Sequence, residues 1–183
     1  MKRFLKWVGI ILVILLVIGF FVLKLIVWPK VDNDMNGVVA HAPYAVSDTA
    51  RALHDELWIA DLHADSLLWR RNPRKRHDYG QVDLPRLAEG GVEFQIFSAV
   101  TKSPKGLNFD ENDAAAPDDI ATLAKAQLWP LRTWDSIYER AAYQAQRLQK
   151  LERQGDVHIV RNSADMAKTD RLLGLLLTEG AHP

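Results

Sequence analysis

The stretch Val82-Asp83-Leu84-Pro85-Arg86-Leu87-Ala88-Glu89-Gly90-Gly91-Val92-Glu93-Phe94-Gln95-Ile96-Phe97-Ser98-Ala99-Val100 decides the fold class. Asp83 is placed to cap a short helix that carries Pro85 in its tolerant first turn. Gly90-Gly91 stops that helix, and Val92–Val100 runs on as an apolar strand. Upstream, Leu57–Leu62 is another apolar run of strand length. A helix between two strands with brief connections marks a parallel sheet, so the class is α/β.

Outward from this unit the same punctuation continues. Ser47 caps a helix over Asp48–Glu56. Between the first strand and Asp83 lies a basic loop, Arg70–His77, with five Lys or Arg residues and Pro73. It reads as a solvated loop, the alternative being that it draws in an anionic substrate group. Thr101–Pro117 is an acidic loop whose spacing lacks the glycine and terminal glutamate of a calcium-binding EF-hand loop. Two helices follow, Asp118–Trp129 and Trp134–Gln154, parted by Pro130. The second carries an apolar stripe of Ile137, Tyr138, Ala141, Ala142, Ala145, Leu148 and Leu151. Val157–Val160 is a short strand, Ser163–Lys168 a helical turn and Leu172–Thr178 the last strand.

The amino terminus has another character. Lys2, Arg3 and Lys6 precede an apolar run from Trp7 to Trp28 broken only by Lys24. About 20 apolar residues suffice to cross a bilayer as a helix, and Lys24 can snorkel to the headgroups. A signal peptide has a shorter apolar region with a small-residue cleavage site close behind, whereas Ala40-His41-Ala42 lies well beyond this run. The reading is a signal anchor over residues 1–28, single-pass, with its basic flank in the cytoplasm and the rest extracytoplasmic. Residues 29–46, punctuated by Pro29, Gly37 and Pro43, read as a linker, and residues 47–183 as the folded part.

Composition narrows the chemistry. Of 183 residues, 23 are basic and 23 acidic, which gives no reason to expect a nucleic-acid partner. There is no cysteine, so disulfides, thiolate metal sites and a cysteine nucleophile are excluded.

Three residues stand out as metal ligands. His63 and Asp65 follow the Leu57–Leu62 strand and, two apart on extended backbone, project from the same face. Glu179 follows the last strand in Leu176-Leu177-Thr178-Glu179-Gly180. Imidazole and carboxylates together suit Zn2+, and functional groups of parallel barrels gather at the carboxyl ends of strands. His41, His54 and His77 lack such support, and His158 sits within a short strand as a core or edge residue.

Asp61-Leu62-His63-Ala64-Asp65 resembles the opening metal motif of the membrane dipeptidases, also called renal dipeptidases. The resemblance extends through Val82-Asp83-Leu84-Pro85-Arg86-Leu87, Gly90-Gly91-Val92, Gln95 and Ser98. Thr178-Glu179-Gly180-Ala181-His182 is similar to the segment around that family's bridging glutamate. The resemblance implies a dinuclear zinc hydrolase on a (β/α)8 TIM-type barrel that cleaves dipeptides, some members also opening β-lactams. His63 and Asp65 would hold one zinc and Glu179 would bridge two. Asp83 and Arg86 match the string as a cap and a fold contact. The catalytic and substrate-binding residues stay unassigned, and His182 is open between a contact with the site and a surface position.

The family's second zinc needs two later histidines, so at most one zinc is well ligated here. About 140 residues follow the linker, against about 250 in a typical barrel. The expectation is an incomplete barrel, an amino-terminal fragment not active alone. The alternatives are a non-catalytic anchored remnant binding at most one zinc, or an anchored interaction module built on the Trp134–Gln154 helix. Homo-oligomerisation is left open.

Overall fold

The computed structural model describes residues 1–111, 113, 115–167 and 170–180. Helix α1 (Lys2–Val22) is apolar all round and buries no residue. It runs through a π-helical turn, Leu23–Val27, which holds Lys24, into α2 (Trp28–Met35). Together they form one helix long and apolar enough to cross a membrane.

Helix α2 corrects the expected linker. Pro29 lies in the first turn, where its missing N–H costs nothing, and so does not break the helix. Trp28 and Asp32 are buried, each at 5% exposure. Asp32 Oδ1 pairs with Arg71 at 2.5 Å, and Gly80 N–H donates to Asn36 O at 2.6 Å. The α2 end of the long apolar helix is therefore docked on the globular part, and the irregular exposed segment spans only residues 37–46.

The globular part follows the expected order with shifted boundaries. Helix α3 (Asp48–Glu56) is capped by Ser47, whose Oγ accepts from Ala50 N–H at 3.2 Å. Strand β1 (Ile59–Ala64) begins two residues later than Leu57 and leaves Leu57 and Trp58 exposed. Asp83 caps α4 (Leu84–Glu89), accepting from Arg86 N–H at 2.9 Å and from Arg86 Nε at 2.8 Å. Strand β2 (Val92–Val100) has its expected bounds. Helix α5 (Asp119–Ala126), capped by Asp118, is followed by a 3-10 turn, Leu131–Thr133. Helix α6 (Ile137–Arg153) starts after its Ser136 cap rather than at Trp134. Strand β3 (Val157–Ile159), a 3-10 turn over Ser163–Met166 and strand β4 (Leu172–Glu179) complete the order. The expected helical turn ran to Lys168, which lies outside the described residues.

All strand pairs are parallel, in the order β1-β2-β4-β3. The sheet is open, with β1 and β3 at its edges, and a closed barrel is not formed by the described residues. Helix α6 covers one face of the sheet. Phe97, Leu148, Leu151, Val157 and Ile159 form the main core with Leu67. Burying each large apolar side chain there contributes about 1.5–3 kcal/mol. Gly174 allows the close approach, since a Cβ there would lie 2.6 Å from Val157 Cγ1. A second cluster joins Leu68, Trp69, Ile120, Ala124 and Trp129.

The buried face of α6 keeps Leu148 and Leu151 of the expected stripe but not Tyr138. Tyr138 is 75% exposed, while Arg140 and Gln144 are buried beside Leu148 and Leu151. Arg140 donates to Thr101 O, Thr133 O and Trp134 O, each at 2.7 Å, and pairs with Asp118 at 2.5 Å. Gln144 Nε2 donates to Val100 O at 2.9 Å. These two side chains satisfy loop carbonyls that would otherwise be buried without partners.

Candidate metal centre

Strands β1, β2 and β4 deliver the site at their carboxyl ends. Val100 pairs with Glu179 in register, so the end of β4 lies beside the end of β2. Thr101, fully buried, binds the Glu179 carbonyl twice, through N–H at 3.0 Å and Oγ1 at 2.8 Å. Gly180 then turns away at φ +64°, where a Cβ would lie 2.6 Å from Lys102 O. Only glycine fits that close, left-handed turn. Thr101 and Gly180 together fix where the Glu179 carboxylate begins.

On the other side, β1 loses regular register with β2 between Asp61 and Ala64. Such irregularities re-aim side chains at the ends of strands. Asp61 Oδ1 accepts from His63 N–H at 3.0 Å, which holds the turned segment. Gln95, fully buried in β2, donates to Ile96 O at 2.9 Å and reaches Asp61 O at 3.5 Å.

The three expected ligands converge. His63 Nε2 lies 3.2 Å from Asp65 Oδ1 and 3.0 Å from Glu179 Oε1. One ligand atom from each residue falls within 4.8 Å of the others. Tetrahedral zinc with bonds of about 2.0–2.1 Å separates its ligand atoms by about 3.3 Å, so the cluster is close to the size the ion requires. Asp65 Oδ1 and Glu179 Oε1 are buried atoms without a well-directed hydrogen bond among the described residues. One imidazole shared between two buried carboxylate oxygens leaves their burial incompletely compensated, and a bound cation would remove that cost. Burial, then the neighbouring Glu179 charge, raises the Asp65 pKa, partly opposed by His63 and by the Ser98 hydroxyl nearby. This donor set fits one divalent cation.

The other histidines lie elsewhere. His77 Nε2 is 3.0 Å from Asn72 O, His158 is 3.8 Å from Asp165, and His54 is 3.8 Å from Asp55. His41 Nδ1 is 2.7 Å from Ala42 O in the exposed segment. His182 lies outside the described residues. Sequence reasoning passed over Asp61 and Thr101. Asp61 had a readable signal, an aspartate two residues before the ligand it orients, whereas Thr101 acts only through a strand pairing. The chain matches no family model and no curated protein.

Proposed function

We propose that the chain is a membrane-anchored metal-dependent hydrolase of dipeptidase type, with His63, Asp65 and Glu179 as the zinc ligands. The observation that supports this best is the convergence of an imidazole and two carboxylates, far apart in sequence, at the carboxyl ends of parallel strands. When bound, zinc supplies Lewis-acid polarisation of the scissile carbonyl and acidifies water at the site. The chain's own part is to hold the ligands. Thr101 and Gly180 set the Glu179 position, Asp61 sets His63, and Ser98 sits beside Asp65. The family resemblance implies that Glu179 would bridge to a second cation.

The anchor supports an extracytoplasmic site. Lys2, Arg3 and Lys6 favour the cytoplasm for the amino terminus, which puts the domain on the opposite side. Removal of the helix as a signal sequence at Ala40-His41-Ala42 would take Asp32 with it and leave the buried Arg71 unpaired. That favours an uncleaved helix.

A second reading is an anchored domain that binds one cation and does not turn over substrate. Among the described residues only these three side chains form a metal-sized cluster, and no second histidine pair stands near it. Full chain purified in detergent separates the two readings when its metal content and hydrolysis of unblocked dipeptides are measured together. The hydrolase reading expects bound zinc and turnover, with Glu179→Gln losing at least about 100-fold in rate, a size typical for removal of a transition-state electrostatic group. Stoichiometric zinc without turnover supports the second reading. Zinc no better retained than in His63→Ala overturns both.

A further inference from the structure

A cleft of about 580 Å³ opens between the basic loop and α6, and none of His63, Asp65 and Glu179 lines it. Its charged wall is entirely cationic, with Arg70, Arg71 and Arg74 from the loop and Arg147, Lys150 and Arg153 from α6. Two of these have carboxylate partners, Arg71 with Asp32 and Arg74 with Asp156. The other four have none within ion-pair distance among the described residues. Arg70 donates to Gln127 O, and Arg147 donates to Leu67 O and Trp69 O, neutral acceptors that leave the charge unanswered.

Folding alone does not account for this arrangement. Arg147, Lys150 and Arg153 stand three residues apart on α6, and like charges at that spacing destabilise a helix. Lys150 and Arg153 lie in the last turn, where the helix dipole favours cations. That benefit does not extend to Arg147, which is enclosed and lies near Arg70 and Arg71. Burial and those two neighbours pull its pKa down, with Tyr143 opposing. An anion in the cleft would answer all four charges.

The Asp32–Arg71 pair also ties the cleft to the end of the apolar helix. Arg71 lines it and pairs with Asp32, which is four residues, or about 6 Å along a helix, beyond Trp28 at the end of the apolar run. The polar layer on each side of a bilayer's hydrocarbon core is about 5–8 Å deep. With α1 and the π-helical turn after it spanning the membrane as far as Trp28, Arg71 falls at headgroup depth. We propose that this cleft binds the phosphate of an anionic phospholipid headgroup, held by Arg70, Arg147, Lys150 and Arg153. Planar guanidinium groups match phosphate oxygens in pairs, and lysine adds a mobile charge. The proposal rests on the membrane-spanning reading of the helix and is independent of the metal centre.

Native mass spectrometry of the full chain in detergent tests it, with phosphatidylglycerol and phosphatidylcholine offered in competition. Selective retention of phosphatidylglycerol is expected, falling roughly 10- to 30-fold in Lys150→Gln/Arg153→Gln and surviving in Arg153→Lys. Equal retention of both lipids overturns the proposal, as does phosphatidylglycerol retention that the double substitution leaves unchanged. Displacement of the lipid by glycerol phosphate at equal concentration also overturns it, by assigning the cleft to a soluble phosphate. Alkaline carbonate extraction of membranes tests the spanning helix separately, so the two failures are distinguishable.

Discussion

At the scale of single residues, the site depends on positions that never reach it. Gly180 holds a left-handed turn against the Lys102 backbone. Gly180→Ala is expected to cost about 1–3 kcal/mol in strain and to weaken zinc binding by displacing Glu179. Thermal unfolding and metal content of one preparation check both. Asp83 carries a different load, because its carboxylate is fully buried as cap and partner of Arg86. Burial pushes its pKa up, but hydrogen bonds from Arg86 and from the His77 and Arg86 N–H groups outweigh this and hold it below 3.8. Asp118 is held low in the same way by Arg140, Ser103 and Ile120. A depressed carboxylate pKa gives stability that is full above the unfolded value and is lost as pH falls through the folded one. Acid unfolding is therefore expected below the ordinary aspartate value of 3.8. Asp83→Asn should flatten that limb of a pH–stability profile.

At the scale of elements, what was legible in the sequence is what local chemistry decides. Asp83 with Gly90-Gly91 specified α4, Ser47 specified α3, and β2 kept its expected ends, because caps and glycines act within a few residues. The candidate ligands His63, Asp65 and Glu179 were legible because each is a group able to bind metal at the carboxyl end of an apolar strand. Helix α2 was not, since Pro29 reads as a break unless the preceding helix is known to continue through it. The inner face of α6 was hidden for another reason. Arg140 and Gln144 look like surface residues, and the Thr101 and Val100 carbonyls at the end of β2 that they satisfy are 39 and 44 residues away in the chain. The docking of α2 gives a test at this scale. Asp32→Ala leaves Arg71 buried without its partner, which is expected to cost about 3–5 kcal/mol of docking free energy. Limited proteolysis within residues 37–46 should rise, and Asp32→Ala/Arg71→Ala should lose less than the sum of the single changes.

At the scale of the whole molecule, one apolar helix, one open parallel sheet and one three-ligand cluster form a connected arrangement. Helix α2 pins the basic loop, that loop leads through Asp83 and α4 into β2, and β2 aligns β4 so that Glu179 meets His63. The barrel implied by the family resemblance exceeds what four strands form, and an open sheet with β1 and β3 at its edges is the observed architecture. A ligand that binds only the folded state stabilises it by about 2.7 kcal/mol at a hundredfold excess over its dissociation constant. Saturating zinc should therefore raise the unfolding midpoint of the full chain by several degrees and raise that of Glu179→Gln by less. The most direct measurement is zinc competition against a chelating dye for the full chain, His63→Ala and Glu179→Gln. The expected result is one tight zinc per chain, weakened at least about 10-fold by either substitution, the scale on which even loss of a group that orients a metal ligand acts. Equal zinc affinity in all three proteins would contradict the metal centre.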